Sequence, residues 1–130
     1  MRITDAEWKV MNAVWHKHPA SVRDVLEMVE DETNWAYTTV KTVMNRLVAK
    51  GALSMRRRAN TNLYTPLVNK DEVQKSEIRS LVDRAFDGTV GPLVHFLLDE
   101  RELSDAESEL LRRRLDELAE SKDRSRSKQP

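Results

Sequence analysis

Cysteine is missing from this 130-residue chain. Disulfides, thiol catalysis and thiolate metal sites are thereby excluded. Glycine is scarce, at three residues, and the sequence has no glycine-rich phosphate loop, no nucleophile elbow and no metal-ligand cluster. Paired acids such as Asp99-Glu100 fall on an expected exposed turn. The chain therefore reads as a non-enzyme with no metal or cofactor. No apolar run is long enough to span a membrane. Asp5 and Glu7 stand where a signal peptide needs a basic and then an apolar region. With 34% charged residues, the expectation is a soluble, cytoplasmic protein. The most informative shortage is local. Residues 37–70 contain no Asp or Glu against seven Lys and Arg, whereas residues 1–36 hold four bases and seven acids, and residues 71–130 eleven bases and fifteen acids. The net charge of zero conceals one basic third, and such a stripe is an electrostatic footprint for nucleic acid.

That third opens with a helix pattern over residues 37–50. Val40, Val43, Met44, Leu47 and Val48 recur at helical spacing. The opposite face carries Thr38, Thr39, Thr42, Asn45 and Arg46, with Tyr37 and Lys41 beside them. Lys50-Gly51 stops the helix, glycine being free to take the left-handed position after the cap. Its start is either Ala36 or Asn34. Two β-type runs follow, around Leu53–Arg57 and Leu63–Leu67, joined by a basic tip at Arg58-Ala59-Asn60-Thr61. A helix followed at once by a basic hairpin is the end of a winged helix. The expected DNA-binding set is Tyr37, Thr38, Thr39, Lys41, Thr42, Asn45, Arg46 and Lys50 on the helix, and Arg56, Arg57 and Arg58 on the wing. Arginine offers a bidentate fork to guanine or phosphate, and threonine can meet a base edge or a thymine methyl. Consecutive strand residues alternate faces, so the three wing arginines cannot all meet one row of phosphates.

Ahead of this lie two shorter helices. Thr4-Asp5-Ala6-Glu7 is a capping box with Ile3 and Trp8 as a hydrophobic staple. The helix behind it runs to about Lys17 with Trp8, Met11, Val14 and Trp15 inward. Ser21 to Asp24 repeats the box, and Val22, Val25, Leu26 and Val29 form the next stripe, ending near Asp31. Three helices with short connections fit a helix-turn-helix. His16 and His18 read as surface histidines at a helix end, because a spacing of two puts them on different faces. Trp8, Trp15 and Trp35 read as packing residues.

Beyond this 1–70 domain, residues 71–122 pattern as helices. Ile78, Leu81 and Val82 make one stripe; Leu93, Phe96 and Leu97 lie in a segment opened by Gly91-Pro92. Leu111, Leu115 and Leu118 follow a third capping box at Ser104–Glu107. These stripes have no partner within one chain, and pairing with a second copy covers them. His95 reads as an interface or satisfied core residue. Residues 123–130 read as a disordered polar tail. The expected fold is mainly α with a small β-hairpin wing: a winged helix-turn-helix plus a C-terminal helical dimerisation region. Two copies would read a two-fold symmetric DNA site with recognition helices about 34 Å apart or a multiple of it. The competing reading is a winged helix that pairs with protein; an acidic or apolar recognition face would have favoured it.

The residues Glu7-Trp8-Lys9-Val10-Met11, Trp15, Val22-Arg23-Asp24-Val25 and Trp35–Thr42, leading to Asn45-Arg46-Leu47 and Lys50-Gly51, resemble the penicillinase-repressor family of the BlaI/MecI/CopY type. Leu63-Tyr64 and Val94-His95-Phe96 extend the likeness. The resemblance implies a homodimeric bacterial transcriptional repressor whose Thr-Val-Lys-Thr helix enters the major groove of a palindromic operator, often with TACA/TGTA half-sites. It implies control of β-lactam resistance, copper handling or a related stress operon, often beside a membrane zinc-protease sensor. Family members cleaved by their sensor are cut at an Asn-Phe bond; the matching bond here is His95-Phe96. Copper sensing through C-terminal cysteines is excluded by their absence.

Overall fold

The two capping boxes set the first two helices. The computed structural model describes residues 1–100 and 103–127, with side chains as far as Ser121. Thr4 Oγ1 accepts from the Glu7 amide at 3.2 Å and Glu7 Oε1 accepts from the Thr4 amide at 2.9 Å. Helix α1 then spans Asp5–His16. The Ser21 and Asp24 pair closes in the same way at 3.1 and 3.0 Å, starting α2 at Val22–Val29. Helix α3, Tyr37–Ala49, starts from Ala36 without a side-chain cap, so Asn34 is not its cap. Its C-terminus is a Schellman closure. The Ala52 amide donates to Leu47 O at 2.9 Å and the Gly51 amide to Val48 O at 3.0 Å, with Gly51 at φ +83°, a conformation that penalises any side chain.

Strand β1, Leu53–Arg58, pairs antiparallel with β2, Thr61–Pro66. The expected four-residue tip is tighter than its sequence suggested. Arg58 pairs with Thr61, and only Ala59 and Asn60 turn, at φ 48° and 67°. Two left-handed residues make a turn whose twist matches the flanking strands. Ala20 adds a bridge to Tyr64 through paired backbone bonds of 3.0 and 2.8 Å.

The core beneath is built from Val10, Met11 and Val14 of α1, Val25 and Val29 of α2, Val40, Val43, Met44 and Leu47 of α3, and Leu53 and Tyr64 of the hairpin. Fully burying a Val or Leu contributes about 1.5–3 kcal/mol. Trp8 and Trp15, expected inward, are only partly buried at the core's margin. Their rings stand 6.0 Å apart, and the Trp15 indole donates to Val68 O at 3.0 Å. A wholly buried indole N–H would have needed a partner inside the core; at the margin it finds a carbonyl.

Helix α4, Lys70–Ala85, belongs to both compact units of the chain, Met1–Ser80 and Leu81 onward. The boundary expected at residue 70 therefore falls later, because Val73 lies within the first unit's core. The second unit continues with α5, Gly91–Asp99, which has proline in its first turn, and α6, Asp105–Ser127. Ser104 and Glu107 form the expected reciprocal cap at 3.1 and 3.2 Å. The helix persists to Ser127 where a disordered tail was expected from Asp123. The segment holds no helix breaker before Pro130. Residues 128–130 of that expectation lie outside the described residues.

The second unit buries little. Val82 is buried, and Leu93, Leu97 and Leu111 are half-buried. Leu81, Phe96, Leu115 and Leu118 are exposed, as is Ile78 in the first unit. His95 is not a core residue: it is exposed, with Nε2 2.9 Å from Asp99 Oδ2 one turn on. Among the described residues no helix is long and apolar enough to cross a membrane, and no group of three or more His, Asp or Glu could hold a metal ion.

Candidate nucleic-acid interface

Because Val40, Val43, Met44 and Leu47 are buried, the opposite side of α3 must face solvent. Tyr37, Thr38, Thr39, Lys41, Thr42, Asn45 and Arg46 are all exposed there. Thr38, Thr42 and Asn45 follow one another at i, i+4 and i+7 and form the centre of that face. Thr42 Oγ1 donates to Thr38 O at 2.8 Å. Its proton is spent on the backbone, and its methyl and lone pairs are what it offers outward. Thr38, Thr39, Thr42 and Arg46 line a shallow depression of about 350 Å³.

Of the three wing arginines, Arg57 alone lines both of the depressions beside the hairpin. Arg57 lines a groove of about 500 Å³ together with Lys41 and Tyr37 of α3 and Arg23 of α2. Three bases and no acid border it. Arg56 and Arg58 line a second depression with Pro19, Leu63 and Thr65, to whose edge Arg57 also contributes. The groove between α3 and the wing thus gathers bases from α2, α3 and β1.

Lys50 does not join this set. Its ammonium donates to Glu7 Oε1 at 2.6 Å and to the Arg2 carbonyl at 2.9 Å, so its charge is already neutralised. Lys50, expected among the DNA-binding residues, lines none of these depressions and is engaged by Glu7 and the Arg2 carbonyl. Glu7 is completely buried. Burial pushes its carboxyl up, but hydrogen bonds from Lys50 and Thr4 and the Lys50 charge outweigh this and hold it below its ordinary value. Its second oxygen has no hydrogen-bond partner.

Asn45 is anchored from below. The hydroxyl of Tyr64, a residue with no exposed surface, donates to Asn45 Oδ1 at 3.0 Å. Burial, with the nearby Tyr37, raises the Tyr64 phenol further above its ordinary value, so it remains an O–H donor. Two residues that line the groove beside α3 are not among those expected from the sequence. Arg23 stands at the start of the second helix and is not in the expected DNA-binding set, although the helix before the recognition helix crosses the DNA backbone. Asn62 is not among the expected residues, yet it pairs with Arg57 across the hairpin and lines the same groove.

The family model described as "Penicillinase repressor" matches residues 3–117. The chain is 28% identical over 110 residues to the methicillin resistance regulatory protein MecI of Mammaliicoccus sciuri, covering 85% of this chain and 89% of that one. It is 28% identical over 106 residues to the penicillinase repressor of Bacillus licheniformis, covering 82% and 83%. The solution structure of the DNA-binding domain of the repressor BlaI superposes with a TM-score of 0.50 at 28% identity, over 55% of this chain and 87% of that one. The family-model match runs from residue 3 to residue 117, into the helical second unit, and the chain belongs to the penicillinase repressor family.

Proposed function

We propose that this chain is a transcriptional repressor that binds double-stranded DNA with α3 in the major groove and the β1–β2 wing along the backbone. The carrying observation is the acid-free outer face of α3, continuous with the groove of Arg23, Lys41 and Arg57. Polar side chains of that kind reach base edges, and the flanking bases neutralise phosphates. The relatives' names, repressors of penicillinase and of methicillin resistance, support the same reading, and the family is one of regulators rather than enzymes.

The finer reading is a cytoplasmic homodimer on a palindromic operator, with TACA/TGTA half-sites as the first candidates. The exposed Leu81, Phe96, Leu115 and Leu118 supply the apolar surface for pairing. A β-lactam resistance or related stress operon is the proposed target. Release by a membrane zinc-protease sensor would act at His95-Phe96. That bond lies inside α5, so cutting it would require the helix to open first, since proteases prefer exposed irregular backbone.

The test is selection of duplexes from a random pool by the full chain, followed by titration of the winner at several salt concentrations. A repressor of this kind selects a symmetric sequence, and the logarithm of its affinity falls linearly with the logarithm of salt. Recovery of no preferred duplex would remove the reading.

A further inference from the structure

Tyr64 does more than fill the core. It stands in register with Met55 on β1, and its own amide and carbonyl both bond Ala20 ahead of α2. The side chain is fully buried, so its hydroxyl is a fixed point within the first unit. That hydroxyl reaches the solvent face of α3 and donates to Asn45 Oδ1 at 3.0 Å. Asn45 is itself exposed, and an exposed asparagine with no such bond would sample several rotamers and both amide orientations.

We propose that Tyr64 is a positioning residue for sequence reading: by occupying the Asn45 carbonyl oxygen from beneath, it presents the Asn45 amide hydrogens to the major groove. The inference rests on the proposed DNA-binding function and deepens it. A carboxamide free at both ends can offer donor and acceptor together, the pattern suited to adenine. With Oδ1 engaged by Tyr64, Asn45 offers donors. It therefore selects an edge rich in acceptors: guanine through O6 and N7, thymine through O4. The arrangement also makes the wing strand part of the reading device, because β2 fixes a side chain of the recognition helix. Ordering Asn45 before DNA arrives lowers the cost of ordering it on binding.

The test is a double-mutant cycle in the full chain. The parent, Tyr64→Phe, Asn45→Ala and the double variant are each titrated with a duplex selected by the parent and with a scrambled duplex. Phenylalanine keeps the buried ring and removes only the hydroxyl. Tyr64→Phe should weaken the selected duplex about 3- to 10-fold, the worth of one hydrogen bond, and leave the scrambled duplex unchanged. In the Asn45→Ala background the same substitution should have no further effect. A purely structural role would weaken both duplexes alike, or persist without Asn45, and either result overturns the proposal. Unchanged binding by Tyr64→Phe overturns it as well. Asn45→Asp gives a second readout that leaves Tyr64 in place, since it keeps an acceptor for the hydroxyl and replaces the donors by oxygen. It should abolish the preference for the selected duplex over the scrambled one, and parental preference in this variant contradicts the proposal. A parent that prefers no duplex defeats the DNA reading first, and this inference with it.

Discussion

The Lys50 ammonium sits 2.6 Å from Glu7 Oε1, joining the last turn of the recognition helix to the first turn of α1. Glu7 has no exposed surface, and the Lys50 side chain keeps about a third of its own. The pair therefore straddles the boundary of the core. Removing the lysine would leave a buried carboxylate with only Thr4 to hydrogen-bond it. Lys50→Ala is expected to cost about 2–3 kcal/mol, below the usual range for a broken buried pair because solvent reaches the lysine end. Denaturant melts check this, and a variant as stable as the parent would show that the pair contributes nothing.

The same carboxylate makes stability depend on pH. Glu7 is held below its ordinary 4.5 in the folded chain, so the unfolded state takes up its proton first as pH falls. The contribution is complete above 4.5 and is lost as pH drops through the lower folded value. Asp24 acts in the same sense, through hydrogen bonds from the Ser21 amide and hydroxyl and the nearby Lys17. Glu7→Gln should lose less of its melting temperature between pH 6 and pH 3 than the parent does, and an equal loss would exclude Glu7 as a source of the acid sensitivity.

The groove between α3 and the wing predicts which bases meet phosphate. Arg57→Ala and Arg23→Ala should each weaken selected and scrambled duplexes alike and lower the salt slope by about one. Lys50→Ala, measured where it remains folded, should leave the slope unchanged. A reduced slope for Lys50 with unchanged slopes for Arg23 and Arg57 would reverse the assignment.

The helical second unit predicts association. Leu111, Leu115 and Leu118 share a stripe on α6, and the last two are more than half exposed. Sedimentation of the full chain should show a dimer, and Leu115→Asp with Leu118→Asp should shift it to a monomer while the first unit keeps its melting transition. A parent that sediments as a monomer would leave those leucines without the partner assigned to them.

Local chemistry made much of this fold legible from residues alone. Three capping boxes are reciprocal side-chain and backbone pairs within four residues, so Thr4, Ser21 and Ser104 announced three helices. The stripe of Val40, Val43, Met44 and Leu47 fixed which face of α3 is outward. What stayed hidden depended on distance in sequence. Lys50 and Glu7 are 43 residues apart, and nothing in the local pattern of Lys50-Gly51 says that the lysine turns inward to a carboxylate. Arg23 and Arg57 meet one groove only after the hairpin folds back beside α2. Tyr64 read as a strand residue, and its bond to Asn45 spans 19 positions. The 70/71 boundary moved because Val73 packs with the first unit, a tertiary choice that the helical pattern of α4 does not reveal.

That α3 reads DNA is tested by three variants titrated with the selected and scrambled duplexes beside a melting curve for each. Arg46→Ala and Thr42→Ala should change stability by less than about 0.5 kcal/mol, as exposed positions do, and weaken the selected duplex by about 1–3 kcal/mol for a residue making a good base contact. Val43→Ala, at a buried position, should instead lower fold stability by about 1–3 kcal/mol and affect binding only through folding. If Arg46→Ala and Thr42→Ala hold the selected duplex as tightly as the parent, α3 is not the reading helix.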